Sequence, residues 1–164
     1  MKTVYLIGGT MGVGKTTVCQ CLKRKLENSV FLDGDWCWDS YPFQVTEETK
    51  RMVIENICFL LNQFIHCSAY SDIIFGWVMH EQSIIDKILA GIDAEECNVK
   101  SISLMCSEQA LQERLKRDIA EGLREEDIIQ RSLSYLPLFQ NLNTIKIETT
   151  GKTTDEIVMD IIFG

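Results

Sequence analysis

The chain has 164 residues, with 16 Lys+Arg against 24 Asp+Glu and a formal net charge of −8. That length suits one domain, and an apolar share of 46% supports a core, which excludes a disordered chain. The acid excess argues against a nucleic-acid partner, which would select a basic face.

The charge is unevenly placed. Residues 1–30 carry five bases (Lys2, Lys15, Lys23, Arg24, Lys25) and one acid, Glu27, for a net +4, and the rest of the chain carries −12. Lys23, Arg24 and Lys25 fall late in an expected helix, where cations complement the dipole; Lys15 does not. No apolar run approaches a membrane span. Residues 4–7 are too short for a secretory leader and run into Gly8-Gly9 rather than a cleavage site. Seven cysteines form no C-x-x-C pair, and His66 and His80 are the only histidines. Reduced, buried thiols in a cytoplasmic protein are the expectation, not a zinc site.

In chain order, residues 3–7 read as a buried strand. Residues 15–27 read as a helix with Val18, Leu22 and Leu26 on one stripe. A short strand, 29–32, runs into Asp33-Gly34-Asp35. A long helix, 46–66, carries Ile54, Ile57, Cys58, Leu61 and Ile65 at helical spacing. A strand follows at 73–78, then a helix at 81–90 stopped by Gly91 as its C′ residue. A strand at 99–105 precedes Ser107, an N-cap with Glu108 in the first turn. That helix runs to about residue 119 and breaks at Gly122. A charged helix is expected from about 124 to 133, and the last strand at 143–148. Thr153-Thr154-Asp155-Glu156 is a capping box that opens a final helix with Ile157, Val158, Ile161 and Ile162 inward. Strands alternating with helices specify right-handed βαβ crossovers and a mainly parallel sheet covered on both faces. Ligands in such sheets bind at the carboxyl ends of strands, here the loops after residues 7, 32, 78, 105 and 148.

The first of those loops reads Gly9-Thr10-Met11-Gly12-Val13-Gly14-Lys15-Thr16 and fits G-x-x-x-x-G-K-[ST] at every fixed position. Its glycines let the backbone curl into an anion nest, and the helix that starts at Lys15 adds its positive end. Lys15 would reach the β- and γ-phosphates, and Thr16, with Thr17 beside it, would offer its hydroxyl to Mg²⁺. The loop alone does not choose a reaction. N-K-x-D and D-x-x-G, expected of a GTPase, do not occur in the chain, and residues 73–78 end without the acid of an ATPase machine. Asp33 and Asp35 do stand at the end of the second strand. One can hold a Mg²⁺-bound water while the other accepts the proton of an attacking hydroxyl. Phosphoryl transfer needs little more than such positioning and neutralisation. Away from a phosphate loop, Asp-Gly-Asp would be an ordinary polar turn.

Residues 9–17, 33–35, 114–117 (Arg-Leu-Lys-Arg) and 149–153 (Thr-Thr-Gly-Lys-Thr) together resemble the small P-loop kinases. These are grouped with shikimate and gluconate kinase, and the chain is near chloramphenicol phosphotransferase and the tunicamycin-resistance type of ATP-binding protein. The resemblance implies a P-loop NTPase fold, an α/β domain with a five-stranded parallel sheet in the order 2-3-1-4-5 and a small lid. It implies ATP and Mg²⁺ as cofactors, the metal on Thr16 and Asp33. Asp35 then binds or deprotonates the acceptor hydroxyl, Arg114 packs on adenine, Arg117 serves the lid, and Thr150 and Gly151 hold adenine through backbone groups. Gly76 resembles the glycine found where substrate approaches.

Arg114 and Arg117, three apart, share a helix face, while Leu111 and Leu115 face the core. Residues 118–127 mix charges around Gly122, as a hinged lid would. The alternative is that Arg114, Arg117 and Arg124 pair with Glu113, Glu121 and Glu125 on the surface. An acceptor site would lie between the second-strand loop, the long helix and the third-strand loop. Its candidates are Asp35, Trp36, Arg51, Gly76 and His80. Trp36, Trp38, Tyr41 and Phe43 suit a ring-bearing or sugar-like acceptor or simply pack a small subdomain; Arg51 meets an anionic group or water. The partners expected are thus a nucleotide and a small-molecule acceptor, with no nucleic acid and no membrane. The rival reading is a non-catalytic ATP-binding protein that sequesters a ligand or signals by its nucleotide state.

Overall fold

Val4, Leu6 and Ile7 are at most 1% exposed, which is what a central strand of a parallel sheet requires. The computed structural model describes all of residues 1–164. It contains strands β1 (Thr3–Gly8), β2 (Ser29–Asp33), β3 (Asp72–Gly76), β4 (Asn98–Met105) and β5 (Ile145–Glu148). The helices are α1 (Lys15–Lys25), α2 (Glu47–His66), α3 (Gln82–Gly91), α4 (Glu108–Ala120), α5 (Ile128–Tyr135) and α6 (Thr154–Phe163). Short 3₁₀ turns follow β2 (Gly34–Cys37) and α5 (Leu136–Asn141).

The sheet order is β2-β3-β1-β4-β5 and every pairing is parallel, as expected. The chain runs from β1 to one side and later to the other, so a crevice opens outside the carboxyl end of β1. Asp33 pairs in register with Gly76, and Gly76 with Ile7. That register brings the ends of β2 and β3 level with the start of the phosphate loop. A single cluster of buried apolar residues runs through the sheet and its helices, with α1 against α6, α2 against α3 and α4 against α5. No helix is long and apolar enough to cross a membrane.

The capping residues behave as their chemistry dictates. Thr153 and Glu156 form the expected capping box, and Ser107 accepts from Ala110 N–H. Thr46 and Thr49 form a second box at the start of α2.

Several boundaries differ from the sequence reading; α1 ends at Lys25 and α5 runs on to Tyr135. β3 ends at Gly76, because the chain turns away at Met79, whose φ is +45°. β5 begins at Ile145, because Asn143 N–H donates to Gln82 and the Thr144 hydroxyl pairs with Ser103. Gly91 is the last residue of α3 and is followed by extended backbone, so it is not a C′ cap. Its lack of a side chain serves packing: a Cβ there would lie 2.5 Å from Cys58 Sγ on α2. The charged helix starts at Ile128, not near 124. Gly122, at φ +75°, ends α4 in a Schellman motif: Gly122 N–H donates to Ile119 C=O and Leu123 N–H to Asp118 C=O. Arg124 Nε then donates to Asp118 Oδ2 at 3.1 Å, which folds the segment back along α4.

Candidate active site

The phosphate loop takes its shape from glycines that no other residue could replace without strain. Gly12 and Gly14 have φ of +84° and +107°, and a Cβ on Gly12 would lie 2.5 Å from Leu115 of α4. The loop is also held from behind. Thr10 and Ser132 are fully buried; Thr10 Oγ1 donates to Ser132 C=O at 2.7 Å, and Ser132 Oγ donates to Met11 C=O. Arg114 braces it from the other side, donating to Val13 C=O at 2.8 Å and to Thr149 Oγ1 at 3.4 Å.

Lys15 Nζ donates to the carbonyl oxygens of Gly9 (2.8 Å) and Thr10 (3.0 Å), the mouth of its own loop. Burial pushes its ammonium down to about 8; the nearby Asp35 pulls it back up, Arg124 pushes it further down, and Asp33 raises it. Asp33 ends β2. Its Oδ1 caps the following 3₁₀ turn by accepting from Asp35 N–H at 2.9 Å, and its Oδ2 accepts from Thr16 Oγ1 at 3.4 Å. Burial holds the Asp33 carboxyl above its ordinary range, and the neighbouring Asp35 charge adds to that.

These groups border one cavity of about 550 Å³. Of the expected site residues, Met11, Gly12, Val13, Gly14, Lys15, Thr16, Thr17, Asp33, Asp35, Gly76, Arg114 and Arg117 line it. Gly9, Trp36, Arg51, His80, Thr150 and Gly151 do not. Gly9 lies beneath the loop against Leu104, where its backbone N–H donates to Val78 C=O. Trp36 is exposed and sets its edge on Phe31, which is in the cavity wall. Arg51 is exposed in the second turn of α2. His80 stacks on Tyr135 of α5 at 4.4 Å, with Nε2 3.5 Å from Glu81, and burial lowers its pKa. Thr150 is taken up by the Ser107 N-cap region, its hydroxyl accepting from Ser107 N–H, and Gly151 makes a turn at φ +72°. Gly76 is in the wall and also packs closely, since a Cβ would lie 3.0 Å from Cys19 Sγ.

Among the wall residues outside the expected set are Trp77, Arg124 and Lys152, with the acids Asp118 and Glu121 beside the arginines. Arg124 pairs with Asp118, not with a glutamate. Lys152 pairs with Asp160 at 2.7 Å. Trp77 is seated on Gly34: a Cβ there would lie 2.4 Å from the ring, so the middle residue of Asp-Gly-Asp must be glycine.

The donor set suits a nucleotide-borne divalent ion. No group of three or more His, Cys, Asp or Glu is arranged for a resident metal. Thr16 Oγ1 and Asp33 Oδ2, 3.4 Å apart at the phosphate loop, are hard oxygen donors that could hold Mg²⁺.

Residues 6–130, well over half of the chain, match the family model described as an AAA domain. No curated protein matches the sequence. Among solved structures, the chain is similar to the tunicamycin resistance protein of Deinococcus radiodurans, with 18% identity and a TM-score of 0.74 over 98% of this chain and 94% of that one. It is similar to a gluconokinase from Sinorhizobium meliloti 1021, with 18% identity and a TM-score of 0.70 over 97% and 89%. A shikimate kinase from Acinetobacter baumannii in complex with shikimate follows, with 20% identity and a TM-score of 0.62 over 99% and 91%. The chain belongs to the AAA domain family and has the nucleotide-binding fold of the small P-loop kinases.

Proposed function

We propose that this protein is an ATP-dependent kinase that transfers the γ-phosphate to a hydroxyl group of a small molecule. The observation that carries this reading is the pair Asp33 and Asp35 sharing one cavity with Lys15 and Thr16. A second carboxylate in the cavity beside the phosphate loop supplies the base that transfer to a hydroxyl needs. The kinase fold of the solved relatives supports the same reading.

The phosphate nest and Lys15 hold the triphosphate, with Lys15 leaving the Gly9 and Thr10 carbonyls for the β- and γ-phosphates. Thr16 and Asp33 would hold Mg²⁺, which would supply charge neutralisation on the phosphates. Asp35 takes the proton as the acceptor oxygen bonds to the γ-phosphorus; the bond from that phosphorus to the β–γ bridging oxygen breaks and ADP leaves. Arg117, near the end of α4, and Arg124, in the lid of residues 118–127, serve the transferring phosphate. An arginine in that role is worth about 10³–10⁵ in rate. Arg114, Thr150 and Gly151 are the candidates on the adenine side, Arg114 acting as a brace of the loop as well.

Asp35→Asn separates this reading from a non-catalytic one. ATP binding, followed by calorimetry, is expected to persist while phosphate transfer drops by at least about 10²-fold, the usual contribution of a positioned base. Unchanged turnover would remove Asp35 from the reaction.

A further inference from the structure

The cations of the cavity lie to one side, where Asp118 and Glu121 accompany them. The five cations, Lys15, Arg114, Arg117, Arg124 and Lys152, belong to the phosphate loop, α4, the lid and the approach to α6. All five therefore surround the expected nucleotide. At the ends of β2 and β3, where an acceptor must approach, the charged wall groups are Asp33 and Asp35, and the rest is aromatic and aliphatic: Phe31, Trp77 and Val78.

The same character continues along the chain. From Leu26 to Thr49 there is no Lys, Arg or His, while Asp33, Asp35 and Asp39 alternate with Phe31, Trp36, Trp38, Tyr41 and Phe43. A second hollow of about 470 Å³ lies along this stretch, with Trp38 and Asp39 in its wall and no cation. The nearest basic groups on α2 are engaged or turned outward: Lys50 pairs with Glu47 at 3.3 Å, and Arg51 is exposed. Of the histidines, His80 stacks on Tyr135 and His66 pairs with Asp93 at the far end of α2.

We infer that the acceptor is a hydroxylated amine, bound as its ammonium, rather than a carboxylate or a phosphate ester. This rests on the kinase reading and specifies its substrate. An anionic acceptor would enter between the triphosphate and two carboxylates with no cation on its own side to meet it. An ammonium meets the aromatic faces, with Asp39 in the adjoining hollow as the carboxylate that the reaction leaves free; rings and opposite charge are the two features that select such a group. Protonation also settles where the phosphate goes. The ammonium nitrogen has no free lone pair, so the hydroxyl oxygen attacks phosphorus and its proton passes to Asp35.

The test uses the full chain with Mg²⁺ and ATP and two matched trios of alcohols. One is glucosamine, glucose and gluconate; the other is 2-amino-1-phenylethanol, 1-phenyl-1,2-ethanediol and mandelate. Phosphorylated products are counted by mass spectrometry. The amine of at least one trio is expected to exceed its neutral and acidic counterparts by about tenfold or more in kcat/KM, a cation–π and charge contribution of ordinary size. Trp36→Leu, at an exposed ring whose loss leaves the core intact, is expected to reduce that advantage several-fold without moving the KM for ATP. An acid that equals or exceeds its amine overturns the inference and leaves the kinase reading standing. Transfer to none of the six, with ATP still bound, counts against both.

Discussion

Gly34 is the most exacting position in the cavity wall, and replacing it with alanine tests how the acceptor side is built. The new Cβ would lie 2.4 Å from Trp77 Cγ, 2.5 Å from Cδ1 and 2.9 Å from Cβ. The ring could swing away, but the Trp77 Cβ is fixed to its backbone, so either the 3₁₀ turn or the end of β3 must move by several tenths of an ångström. Overpacking of this kind costs about 1–3 kcal/mol. In a chain of this length that lowers Tm by about 2–12 °C. The catalytic effect should be larger. Asp33 and Asp35 flank Gly34, and a misplacement of about 1 Å near the reacting atoms can cost about 10²-fold in rate. Thermal unfolding and steady-state kinetics on Gly34→Ala are the measurements. The expected pattern is a moderate loss of Tm, a fall of about ten- to a hundredfold in kcat and an ATP affinity within about twofold, because the nest from Gly12 to Thr16 does not touch Gly34. A variant with wild-type Tm and wild-type kcat would refute both the contact and the role of this turn.

Lys15 carries a pH prediction. Its ammonium is held down to about 8 in the ligand-free fold, and triphosphate beside it should restore the usual 10.5. Nucleotide binding should therefore take up a proton between pH 8 and 10.5, and ATP affinity should fall as pH rises through that window. Without nucleotide the sign for stability is opposite: the unfolded chain binds the extra proton there, so stability should rise with pH over the same window. Calorimetry in buffers of different ionisation enthalpy reads the proton directly, and pH-independent binding to pH 9.5 would contradict the placement of Lys15. Ser132→Ala removes the hydroxyl that ties α5 to Met11 C=O and leaves that carbonyl short of a buried partner. A loss of about 1–3 kcal/mol is expected, with KM for ATP rising more than kcat falls; equal effects on both would make Ser132 a purely structural contact. Gly91→Ala should destabilise by about 1–3 kcal/mol through Cys58. Cys58→Ala in the same chain should recover part of that, so strict additivity in a denaturation cycle would count against the α2–α3 contact.

The elements with strong local signals were legible. β1 is an unbroken apolar run, the phosphate loop is dictated letter by letter by backbone geometry, and the alternation of strands and helices leaves one family of parallel sheets. Asp33 and Asp35 were legible because the second strand can end only at the sheet's carboxyl edge. Residues whose place depends on how the chain turns in three dimensions were not. Gly91, Gly34 and Gly122 look alike in sequence. One relieves a helix contact, one makes room for a tryptophan, and one closes a Schellman motif. Arg51 shows how narrow the margin is. It stands seven residues before buried Cys58, on the same side of α2, yet it lies in the second turn of the helix and is exposed. His80 follows the same logic, because the left-handed residue Met79 directs it onto Tyr135 instead of into the cavity. Arg124 is the converse case. As part of a continuous charged helix it would be one more solvated side chain. The Schellman turn at Gly122 folds its segment back along α4, and the bond to Asp118 brings it close enough to depress the Lys15 ammonium. With Arg51 and His80 outside and Arg124 within, every cation of the cavity ends on the nucleotide side. The acceptor side is left to carboxylates and rings, a division that begins in the cation-free stretch from Leu26 to Thr49 and that tertiary structure completes by where it places Arg51, His80 and Arg124.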